Sequence, residues 1–127
     1  MRTHIRRFKL SDTFIEQYKD REVPWGPLGY VTFKRTYARR LSEFNEEDTG
    51  TEEWYQTCRR VIEGMFEMQK QHVYKLGLEW NDAKSQKTAK DAYDRLFTLK
   101  WTPPGRGLWM MGTKFVNERT AAGLFNC

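Results

Sequence analysis

The chain has 127 residues, enough for one domain with a buried core. Hydrophobic residues make up 39% and aromatics 15%, which excludes an intrinsically disordered chain, and charged residues make up 31%. The net charge is +5, no apolar run approaches the roughly 20 residues of a membrane helix, and two cysteines cannot form a disulfide framework. The charge is uneven. Residues 1–40 carry ten basic and four acidic groups, whereas residues 41–60 carry two basic and six acidic. The basic N-terminus MRTHIRRFKL has no apolar core and no small-residue cleavage site, so it does not read as a secretory signal, and a reducing, cytoplasmic compartment is expected.

Ser11 is the expected N-cap of a short helix through Tyr18 that ends before Pro24. Residues 23–30, VPWGPLGY, hold two prolines and two glycines and read as a turn. The pattern of residues 30–41 fits strand and helix equally. A long helix is expected from Glu52 to Gln69, capped by Thr49 or Thr51, with Glu52 at the capping-box distance from Thr49. Trp54, Cys58, Val61, Met65 and Met68 form its apolar stripe, opposite Glu53, Gln56, Arg60, Glu63 and Glu67. Gly64 weakens its interior by about 1 kcal/mol relative to alanine. A second long helix starts at the Asn81 cap and stops near Lys100, ahead of Pro103 and Pro104, with Ala89, Ala92, Tyr93, Leu96 and Phe97 inward and Lys84, Lys87, Asp91 and Asp94 outward.

Residues 105–127 differ in kind. They hold four of the nine glycines, and the Leu108–Met111 run is apolar between glycines, so a buried loop system is expected there. Residues 1–100 are expected to be mostly helical.

Few residues carry recognisable chemistry. Cys58 sits on an apolar stripe and reads as a core thiol. His4 and His72 share no metal-ligand spacing, so no metal site is expected. Phosphate-loop, nucleophile-elbow and dinucleotide motifs do not occur. Lys34–Arg40 interleaves aromatics with cations. Such a segment either binds nucleic acid by stacking and phosphate contact, or packs against acidic segments of its own chain. Cys127 lies off any helical stripe, which leaves it open to a reactive role.

The block Trp101-Thr102-Pro103-Pro104-Gly105-Arg106-Gly107-Leu108-Trp109-Met110-Met111-Gly112-Thr113 resembles one in adenosylcobalamin-dependent (class II) ribonucleotide reductases, most nearly the monomeric ribonucleoside-triphosphate reductase branch. Trp25–Arg39, Glu53–Gly64 and Leu124-Phe125-Asn126-Cys127 resemble further stretches of that family in the same order. The resemblance covers nearly the whole chain from Trp25.

The resemblance implies an α+β chain. A helical region over residues 1–100 would lead, through residues 101–127, into the first strand of a ten-stranded α/β barrel that is incomplete here. It implies an oxidoreductase that reduces ribonucleoside triphosphates to deoxyribonucleotides for DNA synthesis, under a nucleotide effector, with adenosylcobalamin bound by the complete enzyme and thioredoxin or a similar dithiol as reductant. Cys127 matches one of the family's redox-active cysteine pair, its partner cysteine lying outside this chain. Thr102 and Arg106 match positions near the substrate, where a hydroxyl and a guanidinium can contact phosphate. The radical-forming cysteine, its carboxylate and the reducing C-terminal pair are not in the sequence, so an N-terminal piece is expected, truncated, split or interrupted by an intein and inactive alone. A small basic helical module that binds nucleic acid or an acidic partner is the alternative.

Overall fold

Two long helices form the frame, and the rest of the chain wraps their flanks. The structure is a computed structural model and describes residues 6–113. Five α-helices occur in the described residues: α1 (Asp12–Glu16), α2 (Pro27–Thr36), α3 (Trp54–Lys75), α4 (Asp82–Phe97) and α5 (Gly105–Met110), with a 3-10 turn at Leu41–Glu43. The described residues contain no β-strand, only an isolated antiparallel bridge between Arg40 and Thr51. The helical expectation for the N-terminal region therefore holds.

Local chemistry explains most boundaries. The Ser11 side chain caps α1 by accepting from the Phe14 amide, and Asn81 caps α4 by accepting from the Lys84 amide. The expected turn at residues 23–30 is shorter than the glycines and prolines indicated. Pro27 sits at the first turn of α2, where its missing N–H costs nothing, and residues 30–36 are helical. The α3 cap also differs from expectation. Glu53 is the N-cap and Gln56 completes the capping box, while Thr51 is tied up in the bridge to Arg40. At its other end α3 runs to Lys75, past Gln69. It stops where Gly77 takes a φ of +71° and the Leu78 amide bonds back to the Val73 carbonyl, a glycine-dependent helix stop. The same closure ends α4 at Phe97, where Leu99 stands at a φ of 62° and the Lys100 amide reaches the Arg95 carbonyl.

The core lies between α3 and α4 and is rich in rings. Cys58, Val61, Ile62, Ala89, Tyr93 and Leu96 are fully buried. The Trp54 indole donates to the Phe97 carbonyl at 3.0 Å, and the Tyr93 hydroxyl to the Tyr55 carbonyl at 2.9 Å, so each helix caps a buried polar group of the other. Trp25 and Phe33 bring α2 onto Trp54, with ring centroids 4.9 and 5.2 Å from it. Tyr18 packs on Tyr93 at 4.8 Å and donates to Asp94 at 2.6 Å, which seats the end of the first helical segment on α4. Asp94 faces outward as expected and still receives this contact at the edge of the core.

Candidate functional site

The block over residues 101–113 is held from beneath by α3. Arg60, placed by its spacing opposite the apolar stripe, is 7% exposed and Glu52 is 2% exposed. Glu52 accepts from Arg60 Nε at 3.0 Å and Nη2 at 3.1 Å, from the Thr57 hydroxyl at 3.0 Å and from the Arg39 amide at 2.9 Å. So many donors offset the cost of burying the carboxylate. The same guanidinium donates outward, from Nη2 to the Leu108 carbonyl at 2.6 Å and from Nη1 to the Met111 carbonyl at 2.7 Å. Both carbonyls lie at the C-terminal end of α5, where a helix leaves acceptors unpaired and where a positive charge suits its dipole.

Two glycines bring the backbones together. A Cβ on Gly64 would meet the Gly112 amide nitrogen at 2.5 Å and its Cα at 2.7 Å. A Cβ on Gly112, whose φ is +77°, would run into the Arg60 carbonyl oxygen. Gly64 is thus not a weak point in a helix but the place where the loop after α5 crosses α3. On the other flank, the Trp101 indole donates to the Ala92 carbonyl at 3.2 Å, and the Arg39 guanidinium lies over the Trp109 ring at 4.7 Å.

The expectation of a loop over residues 105–127 is corrected for the described part. Residues 105–110 form a helix, and the block is anchored rather than loosely held. Nor is the Leu108–Met111 run wholly buried: Leu108 is 8% exposed, while Trp109 is 46% exposed under its cation. An apolar cleft of about 390 Å³ opens between α2, the start of α3 and α5. Trp25, Leu28, Phe33, Tyr37, Trp54 and Leu108 line it, together with Thr102.

The candidate site residues are only partly brought together. Thr102 is exposed at the rim of the cleft, and Arg106 is exposed on the first turn of α5, outside the cleft lining. Cys127 lies outside the described residues, as does His4, and His72 is exposed near the end of α3. Cys58 is fully buried as a core thiol. Burial pushes its thiol well above its ordinary value, with the nearby Glu52 charge acting in the same sense. The basic segment is divided: Lys34 and Arg39 are half-buried, whereas Arg35 and Arg40 are exposed. Lys34 donates to the Thr51 and Glu52 carbonyls at 3.2 and 3.0 Å and pairs with Glu53, and Arg39 pairs with Glu43. Of the two alternatives for this segment, packing against acidic residues of its own chain describes Lys34 and Arg39.

A family model described as the ribonucleotide reductase alpha domain matches residues 10–113. The chain belongs to that family. Its match ends at Thr113, the last residue of the anchored block. A probable adenosylcobalamin-dependent ribonucleoside-triphosphate reductase of Dictyostelium discoideum is 38% identical over 126 residues, covering 97% of this chain. The adenosylcobalamin-dependent ribonucleoside-triphosphate reductases of Euglena gracilis and Lactobacillus helveticus are 40% and 39% identical, each over 95% of this chain. The chain spans 16% of the length of each of these three relatives. A crystal structure of a B12-dependent (class II) ribonucleotide reductase superposes with a TM-score of 0.76 at 34% identity, over 94% of this chain and 16% of that one. The residues that sequence reasoning missed, Glu52, Arg60 and the Gly64–Gly112 crossing, all lie within the matched region.

Proposed function

We propose that this chain is the N-terminal part of an adenosylcobalamin-dependent ribonucleotide reductase, which reduces ribonucleoside triphosphates to 2′-deoxyribonucleotides for DNA synthesis. One observation carries the reading: the block that resembles class II reductases is the block α3 is built to hold, in a fold shared with a class II enzyme. In this proposal residues 1–100 form a helical support, and residues 101–127 lead into the first strand of a ten-stranded α/β barrel completed by the rest of the protein. A cytoplasmic location, a nucleotide effector and thioredoxin or a similar dithiol belong to the same proposal. No helix among the described residues is long and apolar enough to cross a membrane.

The chemistry divides between this chain and the remainder. Replacing the ribose 2′-hydroxyl by hydrogen releases water and consumes two electrons and two protons. Two thiols that close to a disulfide supply both. Cys127 is one of these thiols in the proposal, and its partner lies elsewhere in the complete enzyme. Thr102 and Arg106 offer a hydroxyl and a guanidinium to substrate phosphates. Adenosylcobalamin supplies the radical that starts the reaction when bound by the complete enzyme. The described residues do not fit that cofactor by themselves. The cleft of about 390 Å³ is at the small end for a drug-sized ligand, and a corrinoid is larger than that class. The isolated chain is therefore expected to be inactive.

The test is an assay of the full-length protein that contains these residues, given adenosylcobalamin, a ribonucleoside triphosphate and a dithiol. The expected product is the matching 2′-deoxyribonucleotide. Cys127→Ser is expected to abolish multiple turnover and leave adenosylcobalamin cleavage in place. A full-length protein that makes no deoxyribonucleotide overturns the functional reading, and normal steady-state reduction by Cys127→Ser overturns the role of Cys127.

A further inference from the structure

The buried Glu52–Arg60 pair faces two ways. Inward, Glu52 is saturated by Arg60, Thr57 and the Arg39 backbone. Outward, Arg60 spends its remaining hydrogen bonds on the carbonyls of Leu108 and Met111. One guanidinium thus links the start of α3, the loop before it and the end of α5. Charge pairing alone does not require this, since the pair would be complete with the carboxylate. The bonds to α5 are what a planar, forked donor adds and a point-charge lysine does not. The Gly64–Gly112 crossing removes the side chains that would hold the loop away from this donor.

We propose that Arg60, oriented by Glu52, is a positioning residue for substrate binding: it fixes the height and rotation of α5, and so the placement of Arg106 and Thr102 toward the substrate's phosphates. This rests on the functional reading above. Arg60 itself is buried under the block and touches no substrate. Its effect passes through the two carbonyls it holds, and small displacements of a binding group carry large kinetic costs.

The experiment uses the full-length enzyme and two variants, Arg60→Lys and Glu52→Gln. Lysine keeps the charge but cannot grip Glu52 and both carbonyls at once. Glutamine keeps the shape of Glu52 but removes its charge. Two readouts are taken: KM and kcat for a ribonucleoside triphosphate, and amide hydrogen exchange at Leu108, Met111 and Thr113 set against Tyr93 and Leu96. The expected result is a KM raised by about tenfold, the size of one lost charge-assisted hydrogen bond, with kcat much less affected. Exchange is expected to speed up more at the three block amides than at Tyr93 and Leu96 of α4. The inference is overturned by an unmoved KM in both variants with kcat falling in proportion to unfolded enzyme. It is equally overturned by exchange that rises as much in α4 as in the block, or by failure of both variants to fold, because the pair would then hold the whole bundle instead of one block. An inactive wild-type enzyme sinks the functional reading, whereas an active one with unmoved KM in the variants sinks only this inference.

Discussion

Helices α3 and α4 are both amphipathic, and their polar sides meet different surroundings. On α4, Lys84, Lys87, Asp91 and Arg95 are exposed to water. On α3, Arg60, Glu67 and Lys70 are buried although they are charged. The difference lies in what packs there. The segment before α1 runs across α3 without forming a helix or strand, so its backbone groups need partners from elsewhere. Glu67 accepts from the Phe8 amide at 2.6 Å, Glu63 accepts from the Leu10 amide at 2.8 Å, and Lys70 donates to the Arg6 carbonyl at 2.5 Å. Arg60 does the same for the end of α5. The polar side of α3 is thus a backbone-binding surface, and that of α4 is a solvated face.

The largest expected effect that separates the two faces comes from truncating Arg60. Arg60→Met leaves Glu52 buried without its cation and should cost about 3–5 kcal/mol. The corresponding change on α4, Arg95→Met, removes only an exposed pair with Asp91 at 3.4 Å and should stay within about 0.5 kcal/mol of zero. Denaturant unfolding of both variants checks the contrast, and equal costs would break it.

A smaller effect tests the glycine crossing, where helix propensity and packing predict opposite signs. On propensity alone Gly64→Ala stabilises α3 by about 1 kcal/mol. The Gly112 backbone lies 2.5 Å from where the new Cβ would sit, so the expected outcome is instead a loss of about 1–3 kcal/mol from overpacking. Gly77→Ala is the control: it meets nothing within 4 Å and should cost only the strain of its positive φ, about 1–2 kcal/mol. Thermal melts of the two variants give the order, and a stabilised Gly64→Ala would contradict the packing account.

These cases show why part of the molecule was legible in the sequence and part was not. The Ser11 and Asn81 caps and the first three residues of the apolar stripe, Trp54, Cys58 and Val61, depend on neighbours a few residues away and were found where expected, whereas Met65 and Met68 are only half-buried. Residues 30–36 were ambiguous because helix and strand periods both fit so short a run, and packing of Phe33 on Trp54 goes with the helix. Arg60 and Glu67 were misplaced because amphipathic periodicity reports polarity, and polarity does not distinguish a partner that is water from one that is a distant backbone carbonyl or amide. Their partners, Met111 and Phe8, lie 51 and 59 residues away. The block over residues 101–113 was recognisable by its likeness to a family, yet its anchoring was invisible because the anchor sits on another element.

A subtler contrast lies between two carboxylates that share one arginine of α3, Asp12 on α1 and Glu63 on α3. Asp12 and Glu63 both pair with Arg59, at 2.7 and 3.0 Å. The hydrogen bond and charge of Arg59 hold the exposed Asp12 below its ordinary value, while burial raises Glu63 above its own in spite of the same cation. The signs are therefore opposite. Asp12 contributes stability above its unfolded value of 3.8 and loses it as pH falls through its lower folded value. Glu63 contributes below its unfolded value of 4.5 and loses that contribution as pH rises through its higher folded value. Urea midpoints measured from pH 3 to 7 should show Glu63→Gln removing the decline that begins near 4.5, and Asp12→Asn removing part of the acid-side loss. A Glu63→Gln profile parallel to wild type would break the assignment.

Amide hydrogen exchange at Phe8 and Leu10 tests the account of α3 most directly, since carboxylates of α3, not a helix or sheet ladder, receive these two N–H groups. The account predicts that both exchange nearly as slowly as Val61 and Ile62 in the core of α3, and that Glu67→Ala releases Phe8 while leaving Ile62 protected. Exchange of Phe8 and Leu10 at the rate of an unstructured chain, with Ile62 fully protected, would show that the polar side of α3 binds no backbone there.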